Sequence, residues 1–142
     1  MKIDWKNMES VVLLIRAGRI AAADLEKEIT PLMISVPQLS ILLSLSEWGE
    51  MTASQLCELT MRDKANISSL TKKLEQKGFI HVRKNSEDAR SSLLSLTAKG
   101  RKTAESGFKA EKKISSKLEK LTQQTKFPRE YLSELAEKTN KL

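Results

Sequence analysis

The chain has 142 residues, 39% hydrophobic and 30% charged, with 25 Lys/Arg against 18 Asp/Glu and a formal net charge of +7. That length supports one domain with a real core and is too short for two of ordinary size, and the composition suits a helix-rich protein in water. The longest apolar run, residues 11–15, is far too short for a membrane span, no basic region followed by an apolar stretch and a cleavage site opens the sequence, and one cysteine makes no internal disulfide. The reading is therefore a cytoplasmic protein with no membrane partner.

In chain order, Trp5, Met8, Val12, Ile15, Ala22, Leu25 and Ile29 recur at threes, fours and sevens, which predicts a long amphipathic helix over residues 5–29 that stops at Thr30-Pro31. A second helix is predicted from Pro37 through Leu39, Leu42 and Leu43 to Trp48, with Gly49 as its stop. Thr52 is placed to cap a short third helix with Ala53, Leu56 and Leu59 inward. After a turn at Thr60-Met61-Arg62, Asp63 caps a fourth helix ending at Gly78, with Ile67, Leu70 and Leu74 inward. Its opposite side presents Asn66, Ser69 and Lys73, flanked by Lys64, Ser68 and Lys72.

Residues 79–83 have the β-branched and aromatic bias of a strand, and residues 92–96 supply a partner. The charged loop over residues 84–90 then forms the wing of a hairpin. Thr97 caps a long helix to about Leu121 carrying Ala104, Phe108, Ile114, Leu118 and Leu121, and Gly100 within its first turns marks close backbone packing. A polar linker over residues 122–126 leads to a last helix with Pro128 in its first turn and Tyr131, Leu132 and Leu135 on one side. The fold class is mainly α with a small β-hairpin wing, a winged helix-turn-helix in which two short helices precede the hairpin.

Charge gathers at that motif. Residues 51–102 hold eleven Lys/Arg against five Asp/Glu, a net +6, whereas residues 1–50 come to −2 and residues 103–142 to +3. A cationic field centred on a helix with small polar side chains is the footprint of a phosphate-binding face, with amides and hydroxyls for base edges. The candidate DNA-binding residues on these grounds are Arg62, Lys64, Asn66, Ser68, Ser69, Lys72, Lys73, Arg83 and Lys84.

Three strings then stand in order: Leu74-Glu75-Gln76-Lys77-Gly78-Phe79-Ile80, Asp88-Ala89-Arg90 and Leu96-Thr97-Ala98-Lys99-Gly100. Together they resemble the MarR (multiple antibiotic resistance regulator) family of bacterial transcription factors, over a core of residues 35–101 with flanking helices where that family dimerises. The resemblance implies a single domain over residues 1–142, with residues 1–34 and 103–142 as dimerisation helices around a DNA-binding lobe at 35–102. It also implies a homodimer on a palindromic double-stranded DNA operator, residues 63–73 as the recognition helix, Arg90 as the wing-tip arginine and Asp88 as the group that orients it or pins the wing. Ser69 stands where many members have arginine and Arg62 where an apolar residue is common, so base readout does not transfer from relatives.

Other chemistry is sparse. One His and one Cys exclude a clustered metal site, His81 reads as an ordinary strand residue, and no Gly-rich phosphate loop, Ser/His/Asp set or paired carboxylates suggest an enzyme. No cofactor is expected. Cys57 falls on the face of Ala53 and Leu56, where burial makes a thiol inert, although some MarR relatives sense oxidants through a single cysteine nearer the N-terminal helix. Trp5 and Trp48 read as interior packing. The alternative, which the resemblance implies, is that Trp48 and Trp5 line the cavity that this family forms between the dimer helices and the DNA-binding lobe, where Arg16 or Arg19 meets a small anionic or aromatic effector. The functional reading is a dimeric, effector-released repressor; its rivals are a sequence-tolerant architectural DNA-binding protein, a redox regulator acting through Cys57, and a helical protein adaptor.

Overall fold

The computed structural model describes residues 8–86, 91–121 and 129–139. Six helices and a small sheet follow in order: α1 (Ser10–Ile29), α2 (Val36–Trp48), β1 (Met51–Thr52), α3 (Ala53–Thr60), α4 (Lys64–Gln76), β2 (Ile80–Lys84), β3 (Ser92–Leu96), α5 (Ala98–Leu121) and α6 (Arg129–Thr139). The expected mainly helical fold with a hairpin is what the chain adopts.

Local chemistry accounts for the boundaries. α1 ends at Ile29, as expected at Thr30-Pro31, and the chain continues through a single 3-10 turn, Thr30–Leu32, which Met33 ends in the left-handed region. Ser35 and Gln38 close a reciprocal capping box at the start of α2, and Thr52 and Gln55 do the same for α3, where the Thr52 backbone N–H donates to Gln55 Oε1 at 2.8 Å. Asp63 caps α4 by accepting from the Asn66 backbone N–H at 2.7 Å. At the other end of α4, Gly78 (φ 73°) lets its own N–H reach the Glu75 carbonyl and the Phe79 N–H reach that of Leu74, a Schellman closure that satisfies two terminal carbonyls.

The sheet has three antiparallel strands in the order β1-β3-β2, with Met51 opposite Leu94 and Leu94 opposite Val82. The two-residue strand β1 was not expected; it is too short to carry a period of its own and exists through its pairing with β3. Ile29, Leu39, Ile41, Leu42, Leu56, Ile67, Leu74 and Ile80 form the fully buried centre, joined by Phe79, Leu94 and Ala104. The long helix α5 packs on α2 and on α1, so the lobe and the C-terminal half of α1 share one core.

Two glycines set how closely α5 approaches. A Cβ on Gly100 would lie 1.9 Å from the Phe79 carbonyl oxygen, and one on Gly107 would lie 2.1 Å from Leu39 Cδ1. The first is the close packing expected of Gly100. The second was missed, although its spacing of seven places it on the same helix face, with buried Ala104 between them. Thr97 locks this corner: its hydroxyl lies 2.8 Å from the Gly78 carbonyl and accepts from the Gly100 N–H at 2.9 Å, capping α5 as expected.

Some apolar positions do not bury as expected. Leu59 was placed inward on α3 yet is 44% exposed, because the inward line runs through Leu56 and the half-buried Ala53, Cys57 and Thr60. Trp48, read as interior packing, is 68% exposed at the end of α2. Helical periodicity assigns it a face, but no described element covers that face. Trp5 and the side chains of Leu121, Tyr131 and Leu135 lie outside the described residues, and Leu132 is half-buried.

Candidate nucleic-acid interface

Helix α4 carries the clearest division of labour in the molecule. Ile67, Thr71 and Leu74 are buried and Leu70 half-buried, while Lys64, Asn66, Ser68, Ser69, Lys72 and Lys73 are all exposed. Thr71 is a buried polar group on the dry side, satisfied because its hydroxyl donates to the Ile67 carbonyl at 2.8 Å. The exposed side therefore combines amide, hydroxyl and ammonium groups on a helix anchored from beneath by aliphatic packing.

The grouping within that exposed side differs from expectation in one respect. Lys73 shares a concavity with Leu70, Lys77, Glu26, Met33 and Gln38, on the flank of α4 that meets the α1–α2 junction. Lys77 ties this flank down by donating to the Met33 carbonyl at 2.6 Å. Lys72, assigned to the flank, lies with Ser69 farther round from the buried Ile67–Leu74 line, as 3.6 residues per turn require. Arg62 is half-buried in the turn before α4, where its backbone N–H donates to the Cys57 carbonyl at 3.1 Å.

The wing's base is held by an ion pair that the sequence did not reveal. Arg83 on β2 and Thr52 on β1 both stand in register with Leu93 on the middle strand. From there the Arg83 guanidinium reaches Glu50, just before β1, with Nε at 3.3 Å from one carboxylate oxygen and Nη2 at 2.5 Å from the other. Hydrogen bonding to Arg83 holds the Glu50 carboxyl below its ordinary value, and the same pairing raises the Arg83 guanidinium. Arg83 is thus engaged at the neck of the wing. Lys84 is exposed at the strand end, and Asn85 closes the neck through its backbone and side chain to Ser91. Asp88 and Arg90, expected at the wing tip, lie outside the described residues.

The remaining candidates scatter. Cys57 is half-buried on α3 and packs against the core. His81 is exposed on β2. Arg16 and Arg19 are exposed on α1, whereas Trp48 borders two concavities near α2 and α3, neither of which either arginine lines.

A capped helix-turn-helix leading into a three-stranded winged sheet, with cations on its outward helix, defines a winged-helix DNA-binding protein. The MarR family signature matches residues 34–92. Over 101 residues the chain is 32% identical to the organic hydroperoxide resistance transcriptional regulator of Bacillus subtilis (strain 168), covering 70% of this chain and 69% of the relative. The chain belongs to the MarR family and is a DNA-binding transcriptional regulator. Its fold is similar to that of NadR, solved in complex with 4-hydroxyphenylacetate, at a TM-score of 0.78 and 22% identity over 100% of this chain and 99% of that one. It is also similar to reduced AbfR bound to DNA, at a TM-score of 0.72 and 26% identity over 92% and 90% of the two chains.

Proposed function

We propose that this chain is a cytoplasmic homodimeric repressor, a regulator and not an enzyme, that occupies a palindromic operator and is released by a small molecule. In this reading residues 35–102 form the DNA-binding lobe and the terminal helices join two copies. The observation that carries it is α4, a helix dry on one side and lined on the other with Asn66, Ser68, Ser69, Lys64 and Lys72. Such a helix fits the major groove, with lysines on phosphates and the amide and hydroxyls on base edges. The DNA-bound state of a relative with the same fold supports the assignment.

Dimerisation draws on α1. Val11, Val12, Leu14 and Ile15 are exposed along its first half, an apolar surface that a lone subunit leaves in water. A second copy covers it and sets two α4 helices one duplex turn apart. The test is selection of bound sequences from a random duplex pool. A repressor enriches an inverted repeat with half-sites about 10 base pairs apart, centre to centre; a pool that emerges without consensus overturns the reading in favour of an architectural protein.

The hydroperoxide-regulator relative raises oxidant control as a separate question. Cys57 is this chain's one cysteine and packs against the core, so Cys57→Ala is expected to leave operator binding within about twofold, since the lost contact is small and partly exposed. Peroxide-driven release that disappears in Cys57→Ala would assign the switch to that thiol.

A further inference from the structure

The exposed Trp48 is the meeting point of two hollows. One, of about 470 Å³, is walled by Leu25, Val36, Leu39, Leu43 and Leu59 and carries Glu47 and Glu111. The other, of about 390 Å³, lies across the indole and carries Glu50 and Glu58 beside Met51 and Gln55. Among the described residues no Lys, Arg or His lines either hollow, although the chain as a whole bears a net charge of +7. Glu50 is already paired with Arg83; among the described residues, Glu47, Glu58 and Glu111 take part in no ion pair. Burial pushes the Glu111 carboxyl above its ordinary value.

An apolar hollow with uncompensated carboxylates and an aromatic face on its rim selects its occupant by charge. An anion would bring like charge to the half-buried Glu111 and to the exposed Glu47 beside it, and a neutral hydrocarbon would leave Glu111 desolvated and unpaired. A positive charge relieves them, and the indole face attracts the same charge through its quadrupole. We infer that the hollow beside Trp48 binds a small organic cation, an amine or quaternary ammonium with an aromatic or branched aliphatic body. The body lies against Leu39, Leu43 and Leu59, and the charge sits among Glu47, Glu111 and the Trp48 ring. This replaces the anionic effector expected near Arg16 and Arg19. Only its regulatory consequence rests on the effector-release reading above.

The test uses the full chain carrying Trp5→Phe, which leaves Trp48 as its single tryptophan, in a fluorescence titration without DNA. The probes share a shape and differ in charge: benzyltrimethylammonium, its uncharged isostere neopentylbenzene, and phenylacetate. The expected result is saturable change in Trp48 emission with the cation, at least tenfold weaker binding of the other two, and at least a threefold loss of cation affinity in each of Glu47→Gln and Glu111→Gln. Unchanged circular dichroism and duplex binding in the two variants show that they fold. Phenylacetate binding as tightly as the cation, or equal cation affinity in the double variant, overturns the proposal. So does emission that responds to protein concentration and not to the cation, which would assign the hollow to a second copy of the chain. Loss of duplex binding by the unmodified chain would sink the repressor reading and leave the emission result standing.

Discussion

Leu42 in α2 and Ile15 in α1 have the same chemistry and opposite fates: the first is fully buried and the second is 53% exposed. Every large aliphatic side chain on the inner faces of α2 and α4 finds cover within the chain, whereas in the first half of α1, among the described residues, Val11, Val12, Leu14 and Ile15 stay exposed and only Leu13 is half-buried. The change occurs along α1 itself. Leu25 and Ile29 join the common core, and Asp24 and Glu28 pair with Lys117 and Lys113 of α5, each at 2.6 Å. The lobe buries its aliphatic side chains in one copy; in the proposed dimer a second copy covers the start of α1. Different substitutions should therefore damage the two regions by different routes.

The largest effect is expected at the corner joining lobe to α5. Gly100→Ala forces a methyl to within 1.9 Å of a backbone oxygen that has little freedom to move, because Thr97 and the close of α4 fix Phe79. A cost of about 3 kcal/mol or more is expected for such overpacking, read as a lower urea midpoint with an unchanged slope. A variant that unfolds at the parental midpoint would show that the corner relaxes freely.

In α1 the penalty should appear only in association. Ile15→Glu removes an apolar contact worth roughly 1.5–3 kcal/mol in each copy of a dimer and places a charge on its seam. Sedimentation should shift towards the single-chain mass while the circular dichroism of the lobe persists. An unshifted dimer would place the two-fold axis elsewhere.

Within the lobe, reading and holding should separate. Lys72→Ala is expected to weaken operator and random duplex alike, flattening the salt dependence by about one unit per lost phosphate contact. Asn66→Ala should leave that slope alone and erode discrimination by about 1–3 kcal/mol if its amide makes a bidentate base contact. Equal losses on both duplexes for Asn66→Ala would favour the architectural alternative.

What the sequence disclosed follows the same boundary. Caps and stops were legible at Thr52, Asp63, Gly78 and Thr97 because a single side chain or a missing one performs the chemistry locally. The hairpin and the close packing at Gly100 were legible for similar reasons. Tertiary relations were not: β1 exists only beside β3, the Glu50–Arg83 pair joins residues far apart in the chain, and Trp48 has an apolar face that nothing in the described chain covers. Lys73 shows the finer limit, since periodicity put it on the outward side but the approach of the α1–α2 junction decides what it meets. Arg16, Arg19 and Trp48 were linked through a family resemblance, and within one copy neither arginine lines the hollows beside Trp48.

The smallest expected effect comes from comparing two helix ends inside the lobe. α4 closes through Gly78, and α3 closes with the same bond pattern through Met61, whose N–H reaches the Glu58 carbonyl while that of Arg62 reaches the Cys57 carbonyl. Both closing residues are left-handed, at φ 73° for Gly78 and 51° for Met61, but only glycine adopts that region without crowding its Cβ. Met61 is 75% exposed, so its side chain contributes little packing to offset the strain. Met61→Gly removes a strain of about 1 kcal/mol or somewhat more and increases the freedom of the unfolded chain, which returns part of that gain. A net stabilisation of up to about 1 kcal/mol is expected, as a rise in urea midpoint. The reverse change at the other end, Gly78→Ala, should cost about 1–2 kcal/mol. If Met61→Gly instead lowers the midpoint, the side chain packs against something in the assembled protein, and the turn between α3 and α4 belongs with α1 among the surfaces that one copy leaves incomplete.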